Sequence, residues 1–185
     1  MADNGQFFND LREPHIVANL APITMAATAK AMYAAANFPV LGGQYFNRPG
    51  KALRIEAQFL LTLPATPGNL SFNVHWGTGA DATGTLICVA GTPVAATNAT
   101  KRGWLVLDVR CLTTGTAGTL QAEGYASFDP GVIASTLQPM MIPTTGAAAS
   151  GSLDLTAANI ISIQPLQSGT AGTITVEALR VTSLN

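Results

Sequence analysis

Residues 101–128 read KRGWLVLDVRCLTTGTAGTLQAEGYASF, and the reading of this stretch decides the fold. Leu105, Leu107, Val109 and Cys111 alternate with Asp108 and Arg110, so a pleated strand would carry the two sets on opposite faces. After the Gly/Thr-rich turn the apolar set moves to Leu120, Ala122, Gly124, Ala126 and Phe128, with Gln121, Glu123 and Tyr125 between them. Two alternating runs joined by a short loop predict an antiparallel hairpin with one buried and one wet face. Keeping the apolar faces together places Arg110 opposite Glu123 and Asp108 opposite Tyr125.

The same alternation extends toward the N-terminus. In residues 51–63, Leu53, Ile55, Ala57, Phe59 and Leu61 point inward while Arg54, Glu56 and Gln58 point outward. Residues 69–77 put Leu70, Phe72, Val74 and Trp76 inward and Ser71, Asn73 and His75 outward. A shorter strand is expected at 85–90. Residues 23–28 could open the sheet, although AATAKAMYAAA also has helical propensity. LGGQYFNRPGK, 41–51, reads as a turn-rich connection. Beyond the hairpin, 129–150 has no clear period and carries the apolar group Met140, Met141 and Ile142 between two prolines. Further strands are expected at 153–155, 160–166 and 173–181. LTTGTAGT at 112–119 is echoed by LQSGTAGT at 166–173, which we read as one turn solution used twice.

The sum is an all-β protein, an antiparallel, jelly-roll-like β-sandwich of about eight strands over residues 22–185. Residues 1–21 differ. Phe7, Phe8, Leu11, Ile16 and Leu20 follow no sheet alternation and Pro14 stops a long helix, so an extended N-terminal arm is expected, docked on its own domain or a neighbour.

Composition narrows the class. Of 185 residues only 10% are charged while 48% are hydrophobic, a thin charge cover for a solitary domain. Part of the surface is therefore expected to face other subunits. Net charge is −1 without a basic cluster, which argues against nucleic acid, and no stretch approaches a membrane span. Cys88 and Cys111 fall in apolar surroundings and offer neither a disulfide framework nor a metal site. Neither His15 nor His75 has zinc-site spacing or a marked nucleophile beside it. Glu56 and Glu123 are the best available acid pair, yet both read as ordinary outward strand residues. Of Trp76, Trp104, Tyr125 and Phe46, Trp104, which begins its strand on the outward parity, is the candidate stacking residue, although a lone tryptophan at a sheet end reads first as a packing anchor. No catalytic residue, cofactor or metal is expected.

Three elements carry a resemblance: GKALRI at 50–55, Trp76-Gly77-Thr78, and the run from Trp104 through Val106–Arg110 to the Thr113–Thr119 loop. They resemble the small β-sandwich virion proteins of tailed bacteriophages, over roughly residues 23–128. The resemblance implies a jelly-roll-like structural module displayed on the virion, commonly as a homotrimer, contacting the major capsid protein or another virion protein. It supplies no functional residues. The resulting expectation is a non-enzymatic capsid decoration protein that binds and stabilises the assembled head. A tail- or fibre-associated module binding host-surface glycan is the alternative. Interface candidates are Phe7, Phe8, Leu11, Ile16, Leu20, Met140, Met141 and Ile142.

Overall fold

The computed structural model describes residues 14–25, 27, 30–43, 45–78, 84–91, 95, 97, 99–129, 139–144 and 150–184. Ten strands form in chain order: β1 His15–Ala18, β2 Ile23–Met25, β3 Ala52–Leu63, β4 Leu70–Gly77, β5 Thr85–Val89, β6 Ala99–Thr113, β7 Thr119–Phe128, β8 Met140–Ile142, β9 Ile160–Gln167 and β10 Gly172–Ser183. The count exceeds eight because β1 and β8, of four and three residues, are too short for alternation to reveal, while the strand expected within 23–28 forms over its first three residues as β2.

All pairing is antiparallel and falls into two sheets. The larger has seven strands in the order β1-β10-β3-β6-β7-β8, with β2 also on β10; the smaller is β5-β4-β9. The long strands alternate as their sequences require. Leu53, Ile55, Phe59 and Leu61 of β3, Leu70, Phe72 and Val74 of β4, and Leu105, Leu107 and Val109 of β6 are all buried in one core. Phe72 reaches across from the small sheet to Phe59 and Phe128 on the large one, with ring centroids 5.9 and 6.4 Å away. This face-to-face packing makes the protein a β-sandwich.

The hairpin register differs from the expected one by two residues. Asp108 lies opposite Glu123 and Arg110 opposite Gln121. An irregularity between Cys111 and Thr113 absorbs the extra residue at Leu112 before the turn. A shift of two preserves parity, so every face assignment survives while the charge partners change. Arg110 still reaches Glu123, along a diagonal.

Three segments depart further from the expectations. Within the arm, His15–Ala18 join the sheet as β1 along β10, where no alternation is expected, and Asn19 and Leu20 continue as backbone donors to Glu177 and Val176. Its pattern is hidden because a four-residue edge strand shows only two turns of alternation. The connection before β3 is core rather than surface. Met32, Tyr33, Phe38, Leu41, Tyr45 and Phe46 are all buried, without a helix longer than the 3-10 turn Ala35–Asn37 among the described residues. Residues 153–155 form only an isolated bridge, Gly118 to Leu153.

That connection has a structural task. The main-chain N–H of Met32 donates to Ile163 O at 2.8 Å, the Tyr33 hydroxyl donates to Ile161 O at 2.6 Å, and Leu41 and Asn159 exchange bonds. These contacts cover the free edge of β9, which would otherwise present unpaired backbone groups. Burial also pushes the Tyr33 hydroxyl far above its ordinary ionisation range. The two echoed turns are different structures. Thr113–Thr119 closes the β6–β7 hairpin, whereas Ser168–Ala171 carries the chain from β9 in the small sheet to β10 in the large one.

Candidate interaction face

The outward side of the large sheet carries Ile16, Trp104, Tyr125 and Met141 exposed, together with paired charges, whereas the small sheet exposes Leu86 and Val89. Direct cross-strand partners run Ile16, Arg180, Glu56, Val106, Tyr125, Met141, one from each of six strands. At ordinary strand spacing this row is roughly 24 Å long. Its ends are its most exposed members, Ile16 at 66% and Met141 at 57%, and Tyr125 is 40% exposed. Trp104 stands one row away, beside Gln58 and Ser127.

Two shallow grooves meet at Val106. One, of about 560 Å³, is bounded by Arg54, Asp108, Glu123, Tyr125, Met141 and Thr144. The other, of about 350 Å³, lies between Ile16, Glu56, Gln58, Trp104 and Arg180. The carboxylates of this face are held by arginines. Arg54 clamps Asp108 through two bonds of 2.7 Å, from Nε and from an Nη. The carboxylate raises the Arg54 pKa, by hydrogen bonding first and charge second. Arg180 pairs with Glu56 at 3.6 Å, Arg102 with Glu177 at 3.3 Å, and Arg110 with Glu123.

The sequence-derived candidates divide cleanly. Phe7, Phe8 and Leu11 lie outside the described residues. Leu20 is partly buried against the core, and Met140 and Ile142 are buried. The remaining two, Ile16 and Met141, point out instead and terminate the apolar row. Strand alternation explains the split at β8, where Met141 faces away from both flanking residues. Glu56 and Glu123, read as ordinary outward strand residues, stand on β3 and β7 with β6 between them. Among the aromatics, Phe46 and Trp76 are core residues, 5.8 Å apart, and the Trp76 indole donates to Asp154 O at 3.0 Å.

Sequence reading missed Tyr125, Val106 and Arg180 as site residues. The signal is present in their outward parity, but only the strand order β10-β3-β6-β7 aligns them. Among the described residues, no group of three or more His, Cys, Asp or Glu side chains gathers to hold a metal ion. No helix there is long and apolar enough to cross a membrane. Neither a protein family, nor a curated protein, nor a solved structure matches the chain.

Proposed function

We propose that the protein is a non-enzymatic structural component of a bacteriophage virion, a decoration protein that self-associates and stabilises the assembled head. The observation that carries this reading is the outward face of the large sheet. A row crosses six strands there with Ile16, Tyr125 and Met141 exposed and Val106 half-buried, while its charged members Arg180 and Glu56, like Arg54 and Asp108 beside it, neutralise each other in place. A face of this kind suits contact with protein, because it offers apolar area without unpaired charge to desolvate. The low charge content and the sequence resemblance point the same way. Self-association and contact with the major capsid protein follow from the resemblance and belong to the proposal. So does placement on the virion.

The test is electron microscopy of particles with and without the chain. Density for a sandwich at regular positions on the head supports the reading; density at the tail alone, or none, refutes it. Removal of residues 1–13, which leaves β1 in place, is expected to preserve the fold and abolish attachment. Unchanged attachment would remove the arm from the anchoring role.

One observation favours a second reading. The larger groove sets Tyr125 beside Asp108 and Glu123, an aromatic plane with carboxylates such as a glycan-binding module uses. Both carboxylates already serve arginines, which leaves fewer acceptors for sugar hydroxyls. Binding on a glycan array that disappears with Tyr125→Ala would establish this reading over the first.

A further inference from the structure

We propose that the outward face of the large sheet is a self-contact, joining two copies about a two-fold axis that runs between the sheets along the mean strand direction. The inference deepens the reading above and rests on it for the fact of self-association, but sets a two-fold contact in place of the three-fold one that the resemblance implies.

The argument is one of charge and shape under symmetry. The order β1-β10-β3-β6-β7-β8 has its midpoint between β3 and β6. A two-fold axis over that midpoint exchanges β3 with β6, β10 with β7, and β1 with β8, without changing the row. Arg54 and Asp108 share a row. Arg54 therefore comes to lie over Asp108 of the partner subunit, and Asp108 over Arg54 of the partner subunit. Two clamped pairs stack into a square of alternating charge in which no group loses its partner on burial.

In the next row Glu56, paired with Arg180, comes over Val106 of the partner subunit. Ile16 meets Met141 of the partner subunit, an apolar contact at each end of the interface. Arg180 meets the ring of Tyr125 of the partner subunit, a cation over an aromatic face. One row further, Gln58 meets Trp104 of the partner subunit. The perpendicular choice, a two-fold axis across the strands over the same row, sets Arg180 on its own copy and Glu56 on its own copy. Like charges then face each other, which is unfavourable. Two twisted sheets stack stably when their strands are nearly aligned, as the first axis arranges them. The outward side chains cover roughly 600 Å² per copy at ordinary sheet spacings. Stacking would bury roughly 1,200 Å² in total, the lower bound of a standard stable interface.

Sedimentation velocity on the purified full chain, with no particles present, separates this inference from the virion reading. The expected result is a dimer. Arg54→Asp gives four negative charges at the square, and Asp108→Arg gives four positive charges, so each variant alone is expected to be monomeric, with dimerisation weakened by about 100-fold or more. Mixed in equal amounts, the two variants complement each other. The substituted position 54 of the first, now acidic, faces the substituted position 108 of the second, now basic, while the first variant's Asp108 faces the second variant's Arg54. Dimers should therefore return within about tenfold of the native affinity. Circular dichroism establishes that each variant is folded. Should either fail to fold, Met141→Glu and Tyr125→Glu, at exposed positions, carry the test, each with at least about tenfold weaker dimerisation. A monomeric or trimeric native chain, variants that dimerise unchanged, or a mixture that stays monomeric overturns the two-fold contact. Particle decoration by a native monomer would leave the virion reading standing without it.

Discussion

Truncating Phe72 to alanine tests the packing that makes two sheets one domain. The side chain is fully buried on β4 and closes a trio with Phe59 and Phe128 of the opposite sheet, which are themselves 6.1 Å apart. Burial of a phenylalanine and the cavity left by its loss cost about 3–5 kcal/mol on truncation. Each aromatic pair contributes about 0.5–1.5 kcal/mol beyond its area, and two such pairs disappear. The upper half of the range, about 4–5 kcal/mol, is therefore expected. Domains are stable by only about 5–15 kcal/mol, so the variant keeps its fold at room temperature but with a narrow margin. Urea denaturation should show the midpoint falling by roughly 1.5–2 M with the slope unchanged. Ser71→Ala, one residue away on the outward face of β4, is the control and should stay within about 0.5 kcal/mol. A loss below about 1.5 kcal/mol for Phe72→Ala, with the control silent, would refute the claim that the trio couples the sheets.

Three further expectations rest on the same geometry. A Cβ on Gly124 would stand 2.0 Å from the carbonyl oxygen of Val106, whereas one on Gly103 would meet the Phe59 ring at 2.4 Å. A backbone atom yields less than a side-chain tip, so Gly124→Ala should cost about 3 kcal/mol or more and Gly103→Ala about 1–3 kcal/mol in thermal or urea melts; the reverse order would contradict the close approach of β6 and β7. A double-mutant cycle on Arg110 and Glu123 should give under about 1 kcal/mol, decreasing with salt, because both side chains are over 40% exposed. Burial pushes the Cys88 thiol up to about 12, so the folded state keeps a proton that the unfolded chain releases. Stability should be unaffected below the ordinary thiol pKa of about 8.5 and decline as pH rises toward 12, and Cys88→Ala should flatten that decline; identical slopes for the two proteins would place the thiol outside the core.

How far the sequence discloses this molecule depends on strand length. β3, β4, β6 and β7 each have eight or more residues, and their inward positions follow directly from alternation. Register is a weaker inference. The ladder sets Arg110 opposite Gln121 rather than Glu123, a shift of two that disturbs no buried position, so nothing in the apolar pattern announces it. Residues 31–46 are opaque for another reason. Tyr33, Phe38, Tyr45 and Phe46 enter the core from loops, where no period exists to be read. The candidate face lies between these cases. Parity speaks for its side chains one strand at a time, but the row from Ile16 to Met141 exists only once the strand order is known.

The two outer surfaces of the sandwich are treated differently. On the small sheet, the edge strand β9 is covered by the chain itself, so that even Ser162 and Gln164 are buried. On the large sheet no such cover crosses the row among the described residues, and Ile16, Tyr125 and Met141 remain exposed. Charge is distributed in the same sense. Four of the six arginines in the chain stand in ion pairs on this face, with Glu56, Glu123, Glu177 and Asp108 as their partners. A sheet face meant for water gains solubility from charges that are free to be hydrated. Paired charges of opposite sign add little of that, but they lower the cost of moving the face out of water against a matching surface. The protein thus places nearly half of its few basic residues where they neutralise a face, and on the proposed reading that arrangement lowers the cost of contact with a partner.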